Sequence, residues 1–362
     1  MTTTQTQQRP KDERRAAAFA DRMVGAVDAA GLVLQCSIGD QLGLFDVLAD
    51  LDDATSEQIA QAAGLQERYV REWLAALTVA GVVEHDASSR SYRLPAEHAA
   101  VLTRAAGPDN LARLCRYIPM LAEAEHLVVE AFRSGGGVPY SAFSRFHEVM
   151  AEDSAAVNDA SLLDTILPLV PGLPERLTAG VDVADFGCGS GHAVNLMARA
   201  FPASRFVGYD FSTEAIGRAR AEAAGWELPN ARFEVQDVAV LDHADDFDLI
   251  TAFDTIHDQA QPAQVLAAIA RALRPDGVFL MVDITGSSEV ADNIDLPLAT
   301  LLYTCSLLHC MPVSLGLGGV GLGTMWGRQT ALRMLGEAGF ADVEVRQIDT
   351  DPQNAYYVCT LG

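Results

Sequence analysis

Four carboxylates, a glycine run and one imidazole are spaced through the second half of the chain where they could act together. Val181-Asp-Val-Ala-Asp-Phe-Gly-Cys-Gly-Ser-Gly191 sets Asp185 ahead of Gly187, Gly189 and Gly191, with Ser190 between the last two. The apolar, partly β-branched residues before the glycines and the largely apolar run His192–Ala200 after them read as strand, tight turn and helix. Such a junction brings bare backbone N–H groups close to a ligand, at the carboxyl end of a strand where open α/β sheets hold nucleotides. A glycine turn that holds no ligand is the plain alternative. Asp210, Asp237 and Asp283 follow, with His257 between the last two. A carboxylate at Asp210 can accept both hydroxyls of a ribose. One at Asp237 can take a hydrogen bond from an adenine amino group, and an imidazole at 257 can accept a proton.

For these side chains to meet, the strands that carry them must lie side by side. Arg205–Asp210, Ala231–Asp237, Phe247–Phe253 and Gly277–Asp283 read as strands two to five, separated by helical runs at Thr213–Ala224 and Pro262–Leu273. Regular βα alternation predicts an α/β fold: a Rossmann-like, doubly wound, mostly parallel sheet. Val343–Arg346 and Ala355–Cys359 are expected to close it as an antiparallel edge hairpin. Backbone at Phe253 and Asp254 would then face the glycine turn.

The front of the chain reads differently. A helical pattern from about Lys11 to Leu51 carries Phe19, Met23, Val27, Leu34, Ile38, Leu42 and Leu44. Helices at Thr55–Gly64 and Glu67–Gly81 precede a hairpin formed by Val82–Glu84 and Ser91–Leu94, which makes a winged helix. One further helix is expected over Gly107–Arg133, then a break at Ser134-Gly-Gly-Gly-Val-Pro139. The expected domains are therefore a helical and winged-helix domain at 1–104, a helical linker at 105–174, and the nucleotide-type domain at 175–362. The last carries a lid insertion at about 286–328.

Composition narrows the partners. The 362 residues hold 25 basic and 49 acidic side chains, a formal net charge of −24, and Lys11 is the single lysine. Such a field repels nucleic acid and anionic membrane, and a small-molecule substrate is expected. Residues 1–104 hold 10 basic and 15 acidic side chains, a poor balance for a DNA-reading wing. No apolar run is expected to reach membrane-spanning length, and the polar start (Met1–Pro10) lacks an apolar signal core. Six scattered cysteines with no C-x-x-C pair suit reduced thiols in the cytoplasm. Cys305, His309 and Cys310 lie close in sequence, but no second ligand cluster completes a metal site, so none is expected.

The pattern D-x-G-x-G-x-G from Asp185 to Gly191 resembles motif I of the class I S-adenosylmethionine (SAM) methyltransferases. His192 stands where the dinucleotide fingerprint would have its third glycine. The winged-helix front and helical linker resemble the dimeric small-molecule O-methyltransferases of plants and actinobacterial antibiotic pathways. An uncharacterised bacterial branch with a mycobacterial member is similar too. The resemblance implies SAM as cofactor and S-adenosylhomocysteine as product. It also implies a homodimer and methyl transfer to a small, fairly apolar metabolite at oxygen. Cofactor contacts would be Asp185, Gly187, Gly189, Ser190, Gly191, Asp210, Phe211, Asp237, Val238 and Phe253. The family's F-x-x-x-M linker is matched by Phe146-His-Glu-Val-Met150, which implies Ser154 as a cofactor contact and His147 and Met150 as substrate contacts.

His257-Asp258-Gln259 corresponds to the family's H-D-W motif, which makes His257 the expected base and Asp283 the acid that orients it. The sequence departs from the plant pattern at Gln259 for tryptophan and Phe253 for lysine, and lacks a second orienting glutamate near Met325. Ile294–Arg328, with Tyr303, His309 and Trp326 as expected substrate contacts, would shape the pocket as a mobile lid or pack as a core helix with a glycine loop after it. Two other functions share these motifs: a SAM-sensing, DNA-binding regulator, and an enzyme that uses SAM without transferring methyl.

Overall fold

A computed structural model describes residues 12–349 and 351–362; Lys11 and the polar start of the chain lie outside the described residues. The chain falls into two compact units, Met1–Pro119 and Met120–Gly362.

In the first unit, Asp12 caps the helix Glu13–Leu42 by accepting from the N–H groups of Arg14 and Arg15. The helical pattern expected through Leu51 is made of two helices. Gly43, at φ +65°, ends the first in the left-handed region, and Leu44–Asp50 restarts it. A capping box joins Thr55 and Gln58 at the start of Ser56–Ala63, and Glu67–Val79 follows. Strands β1 (Ala54–Thr55), β2 (Glu84–Asp86) and β3 (Ser91–Arg93) pair antiparallel in the order β1-β3-β2, forming the wing. Phe45, Ile59, Trp73, Leu74 and Leu77 form the core, with the Phe45 and Trp73 rings 5.4 Å apart. Between Glu13 and Gly31, by contrast, every residue except Ala16 is exposed, Phe19, Met23, Val24 and Val27 included. The expected helix over Gly107–Arg133 is broken: Gly107 sits at φ +60° before Pro108, and short helices cover Leu111–Leu114, Tyr117–Ala122 and Glu125–Ser134.

The second unit is built on seven strands: β4 (Asp182–Phe186), β5 (Arg205–Asp210), β6 (Ala231–Val235), β7 (Phe247–Phe253), β8 (Leu273–Ile284), β9 (Phe340–Ile348) and β10 (Asp351–Leu361). Their order is β6-β5-β4-β7-β8-β10-β9. The first five are parallel and β10 pairs antiparallel with both β8 and β9, so the expected edge hairpin is present. Both faces are buried, as a parallel sheet requires. Ile250, Phe279 and Met281 point to one side, packed on the helices Pro262–Ala272 and Gly327–Ala338. Leu249, Leu280 and Val282 point to the other, packed on His192–Ala200 and Thr213–Gly225. β6 ends at Val235, so Asp237 stands in the following turn and caps it through the N–H of Ala239.

Ala299–Cys305, a π-turn at Ser306–Cys310 and Met311–Gly316 run on as one helical stretch. By length and composition Ala299–Gly316 does reach membrane-spanning apolarity, contrary to the expectation from sequence. It packs Leu302, His309, Cys310, Val313 and Ser314 into the unit, as a core helix does. The glycine loop after it is pinned onto the turn that follows β7: Val320 N donates to Ala260 O at 3.0 Å and Gly323 N to His257 O at 3.2 Å.

Candidate active site

All three loop glycines adopt left-handed φ, Gly187 at +81°, Gly189 at +52° and Gly191 at +73°. Gly187 and Gly191 are also packed. A Cβ on the first would meet Thr255 Oγ1 at 2.1 Å, and on the second Phe233 and the Ala219 methyl at 2.5 Å. At Gly189 a Cβ would meet nothing within 4 Å, so this residue faces open space. Its N–H donates to Asp210 Oδ2 at 3.0 Å, while Oδ1 of the same carboxylate accepts from Ser212 N at 2.8 Å. Asp210 thus shapes the turn, with Phe211 half-exposed beside it. The helix that starts at His192 is held by His192 itself, 2.8 Å from Glu222 and 3.1 Å from Asp159.

Asp185 is buried within β4 and accepts from Thr251 Oγ1 on β7 at 2.7 Å. Burial, opposed by that hydrogen bond, pushes its carboxyl up to about 7. At the end of β7, Asp254 holds φ +50°, a conformation costly for a residue with a Cβ, and its Oδ1 is buried without a hydrogen-bond partner. Burial and the neighbouring charge of Asp283 raise it to about 8. Asp185 and Asp254 are two buried acids, the second lowered in part by the His257 ring, and their carboxyls would favour a positively charged group.

His257 lies in a 3-10 turn, Ile256–Asp258, and is 4% exposed. Its Nδ1 is 2.8 Å from Asp283 Oδ1 at the end of β8. That oxygen also accepts from Ile284 N at 2.8 Å and Trp326 Nε1 at 3.0 Å. A carboxylate can only accept, so Nδ1 carries a proton and Nε2 is the nitrogen left for other partners. Nε2 lies 3.4 Å from Asp258 Oδ1. Burial opposes charge on the ring, but the carboxylates of Asp283 and Asp258 outweigh it and hold His257 well above its ordinary value.

Residues 30–104 match the model of the Rv2258c-like winged HTH domain, and residues 177–313 match that of a methyltransferase domain. The chain joins a winged helix to a methyltransferase domain. Trans-aconitate 2-methyltransferase of Variovorax paradoxus is 33% identical over 138 residues, 38% of this chain and 47% of that protein. The chain thus spans about half the length of the curated relatives it matches. Among solved structures, human N-acetylserotonin methyltransferase in complex with SAM superposes with TM-score 0.68 at 16% identity, over 100% of both chains. The mitomycin 7-O-methyltransferase superposes with TM-score 0.70 at 17% identity, over 96% of this chain and 100% of the other. At these identities the likeness is one of fold.

Within the methyltransferase domain, the carboxyl ends of the parallel strands gather Asp185, the glycine loop with Ser190, Asp210, Phe211, Phe253, His257 and Asp283. Asp237 and Val238 stand in the turn after β6, the acid exposed and the valine buried. Met150 and Ser154 lie on the helix Phe146–Ser161, Ser154 exposed; the side chain of His147 is outside the described residues. His309 is buried and stacked on Phe146, centroids 3.8 Å apart, with the edges of Phe143 and Tyr140 against it. Tyr140 in turn meets Phe211 at 5.4 Å, so one aromatic wall runs from the cofactor side to the helix carrying His309. Tyr303 accepts from Asn293 at 3.0 Å. Trp326 departs from the expected substrate contact: buried, with its N–H spent on Asp283, it braces the acid. Sequence reasoning missed Tyr140 and Phe143, whose partners Phe211 and His309 come from distant segments, and it weighed Cys310 only beside Cys305 and His309.

Proposed function

We propose that the chain is a SAM-dependent methyltransferase that methylates an oxygen of a small, fairly apolar metabolite. The observation that carries this reading is the buried His257–Asp283 pair beside an acid-and-glycine loop with open space at Gly189. SAM fits the residues present. Asp185 and Asp254 are buried acids suited to the cationic amino acid end and sulfonium, Gly189 leaves room for backbone approach, and Asp210 and Asp237 suit the ribose and adenine. Ser190, Phe211, Val238, Phe253 and Ser154 would complete the contacts. Bound there, SAM supplies an electrophilic methyl group and leaves as S-adenosylhomocysteine.

The protein's own part is alignment, exclusion of water and proton movement. His257 Nε2 takes the proton of the acceptor hydroxyl as the oxygen–methyl bond forms. Asp283, held by Trp326 and Ile284, keeps Nδ1 protonated and stabilises the imidazolium. The wall of Tyr140, Phe143, Phe146 and His309 supports an apolar substrate, with Met150, His147 and Tyr303 as further contacts. A homodimer is supported by the exposed apolar start of the first helix. In the winged helix, Arg68 and Arg71 pair with Glu72 and Glu67, which leaves little basic surface for DNA. Six free thiols support a reducing compartment, the cytoplasm.

Calorimetric titration of SAM and S-adenosylhomocysteine tests the cofactor, and a labelled-methyl screen of phenolic and related hydroxyl compounds tests the reaction. His257→Ala is expected to lose 10²–10⁴-fold in turnover, on the order of a lost general base, with SAM affinity kept. Equal turnover in that variant would remove His257 from the chemistry.

A further inference from the structure

We propose that His257, Asp258 and Cys310 form a binding site for a divalent transition-metal ion of the zinc class, with one coordination position left open. Reading the chain alone, Cys310 has only Cys305 and His309 nearby. The fold supplies its other partners from the turn after β7. One ligand atom from each of His257, Asp258 and Cys310 lies within 4.8 Å of the other two. Tetrahedral zinc with bonds of about 2.0–2.3 Å separates its ligands by roughly 3.3–3.8 Å. His257 Nε2 and Asp258 Oδ1 already stand 3.4 Å apart, so small side-chain adjustments complete the triangle.

Four further features mark the cluster as prepared for an ion. Asp283 on Nδ1 fixes the imidazole with Nε2 turned to the cluster, the carboxylate–histidine support that metal-bound histidines have. Cys310 Sγ accepts from Thr324 Oγ1 at 3.0 Å, support of the same kind for a thiolate. Asp258 Oδ1 is buried with His257 Nε2 3.4 Å away and no hydrogen bond of good geometry, so an ion at the cluster would satisfy it more fully. Cys310 also closes the π-turn Ser306–Cys310, and such turns recur at functional sites. Mixed nitrogen, oxygen and sulfur donors favour zinc, cobalt or a similar ion over magnesium or calcium.

A metal on Nε2 occupies the lone pair that would accept a substrate proton. Metal-bound and proton-accepting states of His257 therefore exclude each other, which makes the site a means of holding the protein inactive. Metal binding itself needs neither SAM nor substrate; its inhibitory consequence rests on the proposed role of His257 as the base.

The test is a titration of the metal-free, full-length protein with Co²⁺, read by its absorption. Expected are the visible bands of four-coordinate Co²⁺ and a near-ultraviolet thiolate-to-cobalt charge-transfer band, saturating at one ion per chain. Cys310→Ser is expected to abolish the charge-transfer band, and Cys305→Ser to leave it. Asp258→Asn removes a ligand without touching a thiol and is expected to weaken binding at least about tenfold, the scale on which even a supporting partner acts. Circular dichroism checks that each variant is folded. No charge-transfer band in the parent protein, or one that survives Cys310→Ser, would overturn the proposal. SAM calorimetry on the same samples separates that result from a failure of the cofactor site.

Discussion

His257 and Asp283, 26 residues apart in sequence, meet at 2.8 Å where the ends of β7 and β8 lie side by side. The acid is itself fixed by an indole and a backbone N–H, so neither partner of the pair is free to drift. On the proposed reaction this pair is the base and its orienting acid, and its protonation should govern the rate.

The raised value of His257 sets the direction of the pH dependence. Burial works against the imidazolium, but Asp283 and Asp258 outweigh it, so the ring must shed a proton before it can accept one. Turnover at saturating SAM is therefore expected to rise with pH through the neutral to alkaline range. Asp283→Asn removes the largest raising charge, so the rising limb should move toward acid while the maximum falls about 10²–10⁴-fold from loss of the correct tautomer. A limb that stays in place in the variant would mean that another group controls the rate.

Asp185 illustrates a conflict between stability and binding. Its folded value, about 7, exceeds the ordinary unfolded one. Stability from this group is full below the unfolded value and is lost as pH rises through about 7. Asp185→Asn should then stabilise the ligand-free protein at pH 8 more than at pH 5, by on the order of 2–3 kcal/mol more at the higher pH, seen as a larger rise in melting temperature. The same change removes a charge from the expected cofactor site and should weaken SAM at least about tenfold. Melting curves at the two pH values and calorimetry check both halves.

The glycines predict separable losses. Gly187→Ala forces a methyl group against Thr255 in addition to its left-handed φ, and is expected to destabilise the fold by about 2–4 kcal/mol. Gly189→Ala meets open space, so only the backbone cost of about 1–2 kcal/mol applies. Gly189→Leu should fill that space and abolish SAM binding while still melting cooperatively. Unchanged SAM affinity in the leucine variant would show that the cofactor does not approach this loop.

Which of these relationships could be read from sequence follows from their range. The strands β4, β5, β7 and β8 are mostly apolar over their buried stretches because both faces are covered, and each site acid sits at or near the end of such a stretch; placing them in one sheet brings Asp185, Asp210 and Asp283 to one rim. His257 follows from the same logic. Asp258 and Cys310 do not, because their proximity depends on how the π-turn docks on the turn after β7. Trp326 reads as a pocket aromatic until its N–H is seen on Asp283. The helix over Gly107–Arg133 fails because apolar periodicity carries through Gly107, Pro108 and Pro119, which break the backbone. Nor does periodicity say what covers an apolar face, only that one exists.

That last point bears on the first helix. Phe19, Met23, Val27, Leu34, Ile38 and Leu42 recur at spacings of four and seven along Glu13–Leu42, one stripe on one face, and all six are at least two-fifths exposed. A helix whose first 19 residues, Ala16 excepted, are exposed gains little from propensity alone, and apolar side chains held in water oppose its formation. A second copy of the chain, which presents the same stripe, would bury it through a self-complementary interface. Phe19→Asp with Val27→Asp sets two charges into that interface and should weaken self-association by at least about tenfold. Light scattering across a concentration series is expected to show a dimer for the parent chain and a shift toward monomer for the double variant, with circular dichroism confirming that the winged-helix core persists. A parent protein that is monomeric at every concentration would leave the stripe to another partner.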